Sequence, residues 1–192
     1  MDCVVLETDR LILREMRQAD FEALAAILGD AETMYAYEGA FSELEIHSWL
    51  DRQIEHCRAY GFSLWAVILR ESGEMIGQCG LTLQPWTGSE VLEIGYLFNR
   101  RFWHHGYATE AARACREYAF RVLNAPEVSS IIRDTNAPSE RVAQRNDMQR
   151  TEGAIKWFRG VKMPHFRYVV RNPSSMPDPA QQGTGAVSEV SC

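Results

Sequence analysis

The chain has 192 residues, 46% of them hydrophobic, and a net charge of −6, as is typical of one globular α/β domain. No apolar run approaches the roughly 18 residues that a membrane-spanning helix requires, and the first residues, MDCVVLETDR, are acidic where a secretory signal is basic. We therefore expect a cytoplasmic protein with no membrane partner.

The first third of the chain predicts a strand followed by two helices. Residues 6–14, LETDRLILR, alternate as a short strand does. Asp20 precedes the apolar-periodic segment FEALAAILGD and is the expected N-cap of a first helix. Ser42 and Glu45 fit a capping box for a second helix, which should end at Gly61, where glycine can adopt a left-handed conformation.

The middle and last parts of the chain predict an antiparallel meander and then alternating elements. Residues 109–123 give the strongest helical periodicity, and they are followed by a strand at 128–133, a helix at 139–146 and a strand at 167–171. This order predicts an α+β fold. The three strands of the meander, separated by turn residues, are SLWAVILR, MIGQCGLTL and VLEIGYLF.

The C-terminal segment differs in composition from the rest. Residues 172–192, NPSSMPDPAQQGTGAVSEVSC, lack periodic apolar positions and are rich in Pro, Ser and Gly, so we expect a disordered tail. Residues 1–171 are then the single folded domain.

The charge is distributed unevenly along the chain. Residues 1–93 carry 17 Asp and Glu against 6 Arg, a net −11, whereas residues 94–192 carry 9 acids against 14 Lys and Arg, a net +5. The second part could attract an anion and the first part a cation; chance clustering on a solvated surface is the alternative. Because there is no continuous basic tract, we expect no direct nucleic-acid partner.

Residues 101–111, RFWHHGYATEA, place a small-residue turn directly before the predicted long helix. A helix N-terminus presents free N–H groups and a positive dipole end, so such a turn can hold a phosphate. A simple strand-to-helix turn is the alternative. The spacing and lysine of a Walker loop are absent.

Several motifs in order resemble one enzyme family. The segment EIGYLFNRRFWHHGYATEA, residues 93–111, resembles the signature of the GCN5-related N-acetyltransferases (GNAT), and its WxxGYATEA form is similar to the ribosomal-protein N-terminal acetyltransferase (RimJ/RimL-like) branch. LETDRLILRE, GEMIGQCGL and NAPSERVAQRNDM resemble further motifs of that branch, so the resemblance spans residues 6–171. It implies a mixed, mostly antiparallel central sheet flanked by helices and splayed between two central strands.

The resemblance also implies where acetyl-CoA, the acyl donor, would bind. In that family the loop before the long helix binds the pyrophosphate through backbone amides, and the preceding strand bonds the pantetheine arm, near which the asparagine of an NxxS motif also lies. The matching positions are Tyr96, Leu97, Phe98, His104, His105, Gly106, Tyr107, Ala108, Thr109 and Asn136.

Two loop positions depart from the wider family pattern, which often has Gln or Arg followed by Gly. Here they are Trp103 and His104; a positive φ at His104 would be costly. The His104–His105 pair lacks a carboxylate or cysteine at ligand spacing, so we expect no metal. The five cysteines, an odd number without CxxC spacing, predict reduced packing thiols.

Glu93 is the candidate general base. Period-2 alternation places Glu93, Gly95 and Leu97 on one face of their strand, and the resemblance implies a carboxylate on this strand that accepts the amine proton, directly or through water. The alternative is a structural glutamate that bonds a backbone group or an arginine.

Ser139 is the candidate acid for the departing thiolate. The tyrosine that many family members use, seven residues after the motif asparagine, is Ala143 here, and the ribosomal-protein branch has serine at the position of Ser139. A capping role at the helix start is the alternative.

The family resemblance assigns substrate recognition to the N-terminal helices and the loop between them. In this segment Glu32, Tyr35, Tyr37 and Glu38 combine carboxylates with aromatic faces, which suits an ammonium group. An acidic solvated helix pair with core aromatics is the alternative.

These residues predict an acetyl-CoA-dependent N-acetyltransferase that acts on a primary amine, either a protein N-terminus or a small molecule, by direct attack on the thioester. We expect a monomer or homodimer. The alternative function is a non-catalytic acyl-CoA sensor or scaffold module.

Overall fold

A computed structural model describes residues 3–175. The strands are β1 (Val4–Glu7), β2 (Leu11–Arg14), β3 (Leu64–Leu69), β4 (Met75–Trp86), β5 (Ser89–Phe98), β6 (Glu127–Arg133), β7 (Gln149–Phe158) and β8 (Val161–Arg171), and the helices are α1 (Phe21–Leu28), α2 (Glu43–Tyr60), α3 (Tyr107–Arg121) and α4 (Ala137–Arg145). None of these helices combines the length and apolar composition needed to cross a membrane.

All eight strands form one sheet in the order β1-β2-β3-β4-β5-β6-β8-β7. Every neighbouring pair is antiparallel except β5 and β6, which run parallel. The predicted α+β fold with a mixed, mostly antiparallel sheet flanked by helices is therefore confirmed.

Two hydrophobic clusters cover the two faces of the sheet. On one face, α3 and α4 pack over Trp65 and Leu81, which are both fully buried. On the other face, α1 and α2 pack over Ala66 and the neighbouring strands. Along β5, Ile94 packs with the α3–α4 cluster and Leu97 with the α1–α2 cluster. Successive β5 residues thus face opposite sides, as the alternation predicts.

The predicted boundaries of α2 are confirmed. The Ser42 hydroxyl accepts from the Glu45 N–H at 3.4 Å, and the Glu45 carboxylate accepts from the Ser42 N–H at 2.7 Å, so the capping box is complete. Gly61 follows the last turn with φ +77°, a conformation that glycine adopts without a steric penalty.

Two predictions for the N-terminal segment are wrong. Residues 6–14 are not one strand, because the chain turns between β1 and β2, where the Thr8 hydroxyl accepts from the Leu11 N–H at 3.0 Å. Asp20 precedes α1, but its carboxylate does not cap the helix. It accepts from the Arg14 guanidinium at 2.6 and 2.7 Å instead, because both side chains are buried and each requires a partner there.

Strand β7 was not predicted from the sequence. Its residues are mostly exposed, since β7 is at the edge of the sheet and lacks the regular apolar alternation that indicates a half-buried strand. Strand β8 begins six residues before the predicted start at Arg167. The β7–β8 hairpin is consequently the largest element that the sequence did not reveal.

The predicted tail starts at Asn172, but this residue is packed against the domain. Asn172 is buried, and its side chain donates to the Ala125 carbonyl at 3.2 Å. A 3₁₀ turn follows at Pro173–Ser175. The rest of the predicted disordered tail, residues 176–192, lies outside the described residues.

The cysteines of the described residues are unpaired: Cys3, Cys57, Cys79 and Cys115. Cys79 and Cys115 are buried, with their sulfur atoms 3.6 Å apart, and belong to the α3–α4 cluster. Cys192 lies outside the described residues.

Candidate active site

The sheet opens between β5 and β6. Strand β5 pairs with β4 along its length, but its register with β6 consists of one position, Glu93 opposite Ser129. Beyond it, side chains replace the backbone ladder. The Ser130 hydroxyl donates to the Ile94 carbonyl at 2.9 Å, and the Ile131 N–H donates to Glu93 Oε1 at 3.1 Å. The far half of β5 therefore has a backbone edge that faces no partner strand and can bind a ligand.

The loop from Trp103 to Gly106 leads directly into α3. His104 has φ +66° and Gly106 has φ +82°. Left-handed residues beside right-handed ones turn successive N–H groups toward a common point, and the first N–H groups of α3 have no intrahelical carbonyl partner. The loop and the helix start thus form a cradle suited to phosphate. The left-handed conformation costs His104 about 1–2 kcal/mol.

The aromatic rings of this loop brace it. The Trp103 indole donates to the Phe98 carbonyl at 2.8 Å, and His105 Nδ1 donates to the Trp103 carbonyl at 2.7 Å. The His105 ring also stacks on Tyr107, with centroids 5.6 Å apart. Within residues 3–175 no group of three or more His, Cys, Asp or Glu side chains could hold a metal ion.

The β1–β2 turn clamps the start of α3. Glu110 accepts from the Thr8 hydroxyl at 2.6 Å and pairs with the Arg10 guanidinium at 2.6 Å. Arg10 also donates to the His105 carbonyl at 3.0 Å and lies 4.5 Å from the centroid of the Tyr107 ring. Burial raises the pKa of Glu110, but hydrogen bonds from Thr8 and Arg10 outweigh it and hold this pKa below its ordinary value.

The clamp was missed because residues 6–14 were interpreted as one strand. A strand has no turn at Thr8–Arg10, and without that turn nothing in the sequence brings Arg10 to the loop. The sequence signal that could have found it is the small hydroxyl of Thr8 three residues before Leu11, the spacing of a side-chain-closed turn.

A cavity of about 1090 Å³, here called the loop cavity, extends from this loop along β5 to the start of α4. Arginine side chains line it as well, namely Arg10, Arg113, Arg141 and Arg145, which suits an anionic ligand. Every residue that the sequence analysis proposed for cofactor binding lines this cavity: Tyr96, Leu97, Phe98, His104, His105, Gly106, Tyr107, Ala108, Thr109 and Asn136.

A second cavity of about 670 Å³, here called the hairpin cavity, lies on the α1–α2 face and is bordered by α2, β5, β6 and the β7–β8 hairpin. It adjoins the loop cavity, because one set of residues lines both. That shared wall consists of Thr33, Tyr96, Leu97, Asn136 and Ser139.

Glu93 lies in the hairpin cavity, half-buried. Burial raises its pKa above the ordinary value, although the Lys156 ammonium and hydrogen bonds from Ile131 and Thr82 act in the opposite direction. Oε1 is held by the Ile131 N–H, whereas Oε2 has only the Thr82 hydroxyl at 3.5 Å. One oxygen of the Glu93 carboxylate thus forms a structural hydrogen bond, and the other is available to accept a proton.

The start of α4 is capped by Asn136. Its side-chain oxygen accepts from the Ser139 N–H at 3.1 Å and from the Tyr35 hydroxyl at 2.8 Å. The capping role considered for Ser139 thus belongs to Asn136. The Tyr96 hydroxyl donates to the Ser139 carbonyl at 2.9 Å, and burial raises the pKa of Tyr96. Ala143, at the position of the tyrosine that many family members use, is buried in the α3–α4 cluster. Ser139 is the residue of α4 whose hydroxyl lies on the shared wall.

Comparison with known proteins identifies the family. The family model for the acetyltransferase (GNAT) domain matches residues 10–149. The chain is 37% identical to the Bacillus subtilis protein YkkB over 157 residues, 81% of this chain and 91% of that protein. It is 31% identical to the N-acetyltransferase YnaD of the same organism over 152 residues, 79% of this chain and 85% of that protein. The chain is a GNAT acetyltransferase.

Solved structures extend the likeness in fold. The ribosomal L7/L12 α-N-protein acetyltransferase RimL in complex with coenzyme A superposes with a TM-score of 0.71, covering 88% of this chain and 97% of that chain, at 16% identity. At that identity the match shows the fold alone. The GNAT prediction is confirmed, and the RimJ/RimL-like branch remains a similarity of motifs and fold.

The two aromatic residues predicted to bind substrate in this GNAT acetyltransferase line different cavities. Tyr37 lines the hairpin cavity and packs edge-on against Phe41, Trp49 and Phe158, at centroid distances of 6.0, 6.4 and 6.4 Å. Burial, with a contribution from Glu93, raises the pKa of Tyr37 to about 12. Tyr35 lines the loop cavity.

The two carboxylates predicted to bind substrate are not brought to the cavities. Glu32 pairs with Arg100, and Glu38 pairs with Arg133 at 2.5 Å; neither lines the loop cavity or the hairpin cavity. The GNAT acetyltransferase thus uses these carboxylates in ion pairs, whose arginine partners are remote in sequence and not predictable from the local pattern.

The hairpin cavity instead contains residues that sequence reasoning missed. Lys156 on β7 and His165 on β8 line it beside Arg133. His165 Nδ1 donates to the Met163 carbonyl at 3.0 Å, and burial lowers the pKa of this imidazole. No motif marks these positions, because they reach the cavity through a hairpin that the sequence did not reveal.

Proposed function

We propose that this GNAT acetyltransferase transfers an acetyl group from acetyl-CoA, held in the loop cavity, to a primary amine held in the hairpin cavity. The observation that carries the proposal is the shared wall between the two cavities, with Ser139 on it and Glu93 inside the hairpin cavity. Donor and acceptor can meet only where both cavities have access. Ser139 lies on that wall, and Glu93 precedes the wall residues Tyr96 and Leu97 on the same strand.

The loop cavity fits acetyl-CoA by several independent features. The cradle of His104 and Gly106 at the start of α3 offers N–H groups to a pyrophosphate. The open edge of β5 offers backbone groups to an extended amide-containing arm. Acetyl-CoA, when bound, supplies the acetyl group as a thioester.

Glu93 and Ser139 then have separate roles. Glu93 Oε2 accepts a proton from the acceptor ammonium, so that a neutral amine can attack the thioester carbonyl. A C–N bond forms and the C–S bond breaks. The attacking nitrogen loses one proton as the amide forms, and the departing sulfur gains one, so that it leaves as the thiol. The Ser139 hydroxyl donates a hydrogen bond to this sulfur as it departs. No covalent acyl-enzyme is required, and the buried Cys79 and Cys115 have no role in transfer.

The test is coenzyme A release in the presence of acetyl-CoA and a panel of amines that includes peptide N-termini, alkylamines and amino acids. We expect release with at least one class, and mass spectrometry should detect the N-acetyl product. Thermal stabilisation by acetyl-CoA provides the folding control. Binding of acetyl-CoA without turnover on any amine would overturn the proposal in favour of a sensor module.

A further inference from the structure

The charged side chains that line the hairpin cavity include more cations than carboxylates. Glu93 and Glu45 are its carboxylates, and Arg52, Arg133 and Lys156 are its cations. A site for a simple or multiply charged amine should present an excess of carboxylates. The excess of one cation favours an acceptor that carries an anionic group as well as the amine.

Within residues 3–175, two of the cations that line this cavity, Arg52 and Lys156, form no ion pair with a carboxylate. Glu45 is bound by the Arg159 guanidinium at 2.5 Å, and Arg133 is bound by Glu38 at 2.5 Å. Arg52 is exposed, and its guanidinium lies 5.2 Å from the centroid of the Trp49 ring. Lys156 is half-buried, and no ion pair joins it to a carboxylate anywhere in residues 3–175.

The strand register shows that Lys156 faces the site. Lys156 pairs with Met163, and His165 pairs with both Arg133 and Ala154. Directly paired residues share a face of the sheet, so Lys156, His165 and Arg133 form one wall. His165 adds no positive charge to it, because burial and the neighbouring Lys156 and Arg133 cations lower the pKa of the imidazole.

The composition of the chain makes Lys156 distinctive. The sequence has 18 arginines and two lysines, Lys156 and Lys162. Lys162 pairs with Trp157, the residue after Lys156, so the two lysines lie on opposite faces of the same hairpin. Lys162 is exposed and does not line the cavity, which provides a matched comparison within the chain.

The cavity is enclosed enough for a small molecule. Arg159, at the turn of the β7–β8 hairpin, bonds Glu45 near the start of α2 and lies over the rings of Phe41 and Phe158 at 5.3 and 5.4 Å. This contact ties the hairpin to α2 across the cavity. The volume of about 670 Å³ and an aromatic wall, made of Tyr37, Phe41, Trp49 and Phe158, are typical of small-ligand sites.

We propose that the acceptor is a small primary amine that also carries an anionic group, with Lys156 binding the anion while the amine approaches Glu93. This rests on the proposed function. The aromatic wall packs against the apolar spacer between the two groups. A diamine or polyamine is disfavoured, because its second cation would lie beside Lys156.

The test compares acceptors that differ only in the remote group. The probes are ω-amino carboxylates of increasing chain length, from glycine to aminohexanoate, with an aminomethylbenzoate as aromatic member, each beside the aminoalcohol and diamine of the same length. Coenzyme A release gives kcat/KM for every member. We expect the best carboxylate to exceed its matched alcohol by roughly 10- to 100-fold, the range for one hydrogen bond to a charged group.

Variants then identify the residue responsible. Lys156→Met should remove the difference in kcat/KM between the carboxylate and the alcohol and leave the KM for acetyl-CoA unchanged. Because the Lys156 ammonium also lowers the pKa of Glu93, the two probes are compared at a pH above the acidic limb of each profile. Lys156→Glu should reverse the preference toward the diamine. Lys162→Met, on the opposite face of the hairpin, should change none of these values.

Four outcomes would overturn the inference and leave the proposed function standing. Equal kcat/KM for carboxylate and alcohol would do so, as would an equal loss on both probes in Lys156→Met. A preference for peptides over all small amines would do so as well. N-acetylation of the aminoalcohols and diamines alone would overturn this inference and leave the proposed function standing. If no amine is acetylated, the proposed function itself is overturned.

Discussion

The loop cavity and the hairpin cavity are built by different means. The largest group of residues that line the loop cavity is close in sequence, 96–98 and 102–110, and the β1–β2 turn, the rest of α3 and α4 contribute others. The hairpin cavity is lined by residues of α2, β5, β6, β7 and β8, which are distant in sequence. The first arrangement can be recognised from a motif, whereas the second depends on tertiary structure.

Among substitutions that test the separate roles of the two cavities, we expect the largest change in kcat/KM at Glu93, in the hairpin cavity. Glu93→Gln keeps an oxygen that can accept from the Ile131 N–H but cannot accept the amine proton, so kcat/KM should fall by roughly 10²- to 10⁴-fold. The fall should be larger for alkylamines than for peptide α-amines, because neutralising them at pH 7 costs about 4.6 rather than about 1.4 kcal/mol. Calorimetry should give unchanged acetyl-CoA affinity; equal turnover would contradict the base assignment.

The pH dependence follows from the same carboxylate. Glu93 must be deprotonated to act, and its pKa is raised above the ordinary 4.5 by burial. Activity should therefore fall as the pH decreases through a value above 4.5, and this limb should be missing from the profile of Glu93→Gln. If the wild-type protein and Glu93→Gln show the same acidic limb, the titration of another group causes it.

A second large effect, confined to the loop cavity, is expected at Gly106. Its φ of +82° lies where a β-branched residue is strained, although a Cβ there would meet only the Arg10 guanidinium at 3.7 Å. Gly106→Val should weaken acetyl-CoA binding by roughly 10- to 100-fold through backbone strain of about 1–3 kcal/mol. Gly88→Val, at φ +88° in the β4–β5 turn, is the matched control and should leave affinity unchanged.

An intermediate effect is expected at Ser139, on the shared wall. Ser139→Ala should lower kcat by roughly 10-fold, through loss of one hydrogen bond to the charged leaving sulfur, with unchanged melting temperature. Asn136→Ala removes the α4 cap and should destabilise the protein by about 1 kcal/mol, which thermal denaturation measures. Destabilisation by Ser139→Ala with normal turnover would reverse these assignments.

The smallest effect is expected at Arg10, which supports the loop from outside the motif. Arg10→Ala removes an exposed ion pair, a bond to the His105 carbonyl and a cation–π contact. The KM for acetyl-CoA should rise by roughly 3- to 10-fold. Arg171→Ala removes the ion pair of the exposed Arg171 with Glu127 at 3.7 Å, and neither of these residues lines the loop cavity; an equal rise in that variant would contradict the clamp.

The parts of the fold that could be predicted are those with local signals. The capping box of Ser42 and the glycine end of α2 at Gly61 depend on neighbours within four residues and are confirmed. The motif loop likewise contains its own turn residues. Whether His104 needs a positive φ was left open by the motif, and the structure has it at +66°.

The parts that could not be predicted depend on pairing across the chain. The mostly exposed edge strand β7 has no regular apolar alternation, so neither it nor Lys156 could be predicted from the pattern. Glu32 and Glu38 have the composition of an ammonium site, but Arg100 and Arg133 bind them. Which arginine a carboxylate pairs with is decided by tertiary structure, whereas a helix cap is decided by adjacent residues.

The position of β7 at the edge of the sheet has an evolutionary consequence. Substitutions on an exposed edge strand disturb few packed neighbours, so their effect on the free energy of unfolding is small. The proposed donor site lies along β5, at the centre of the sheet, where changes are costly. Descendants of this chain can therefore exchange one acceptor for another through mutations in the β7–β8 hairpin while inheriting the donor site intact.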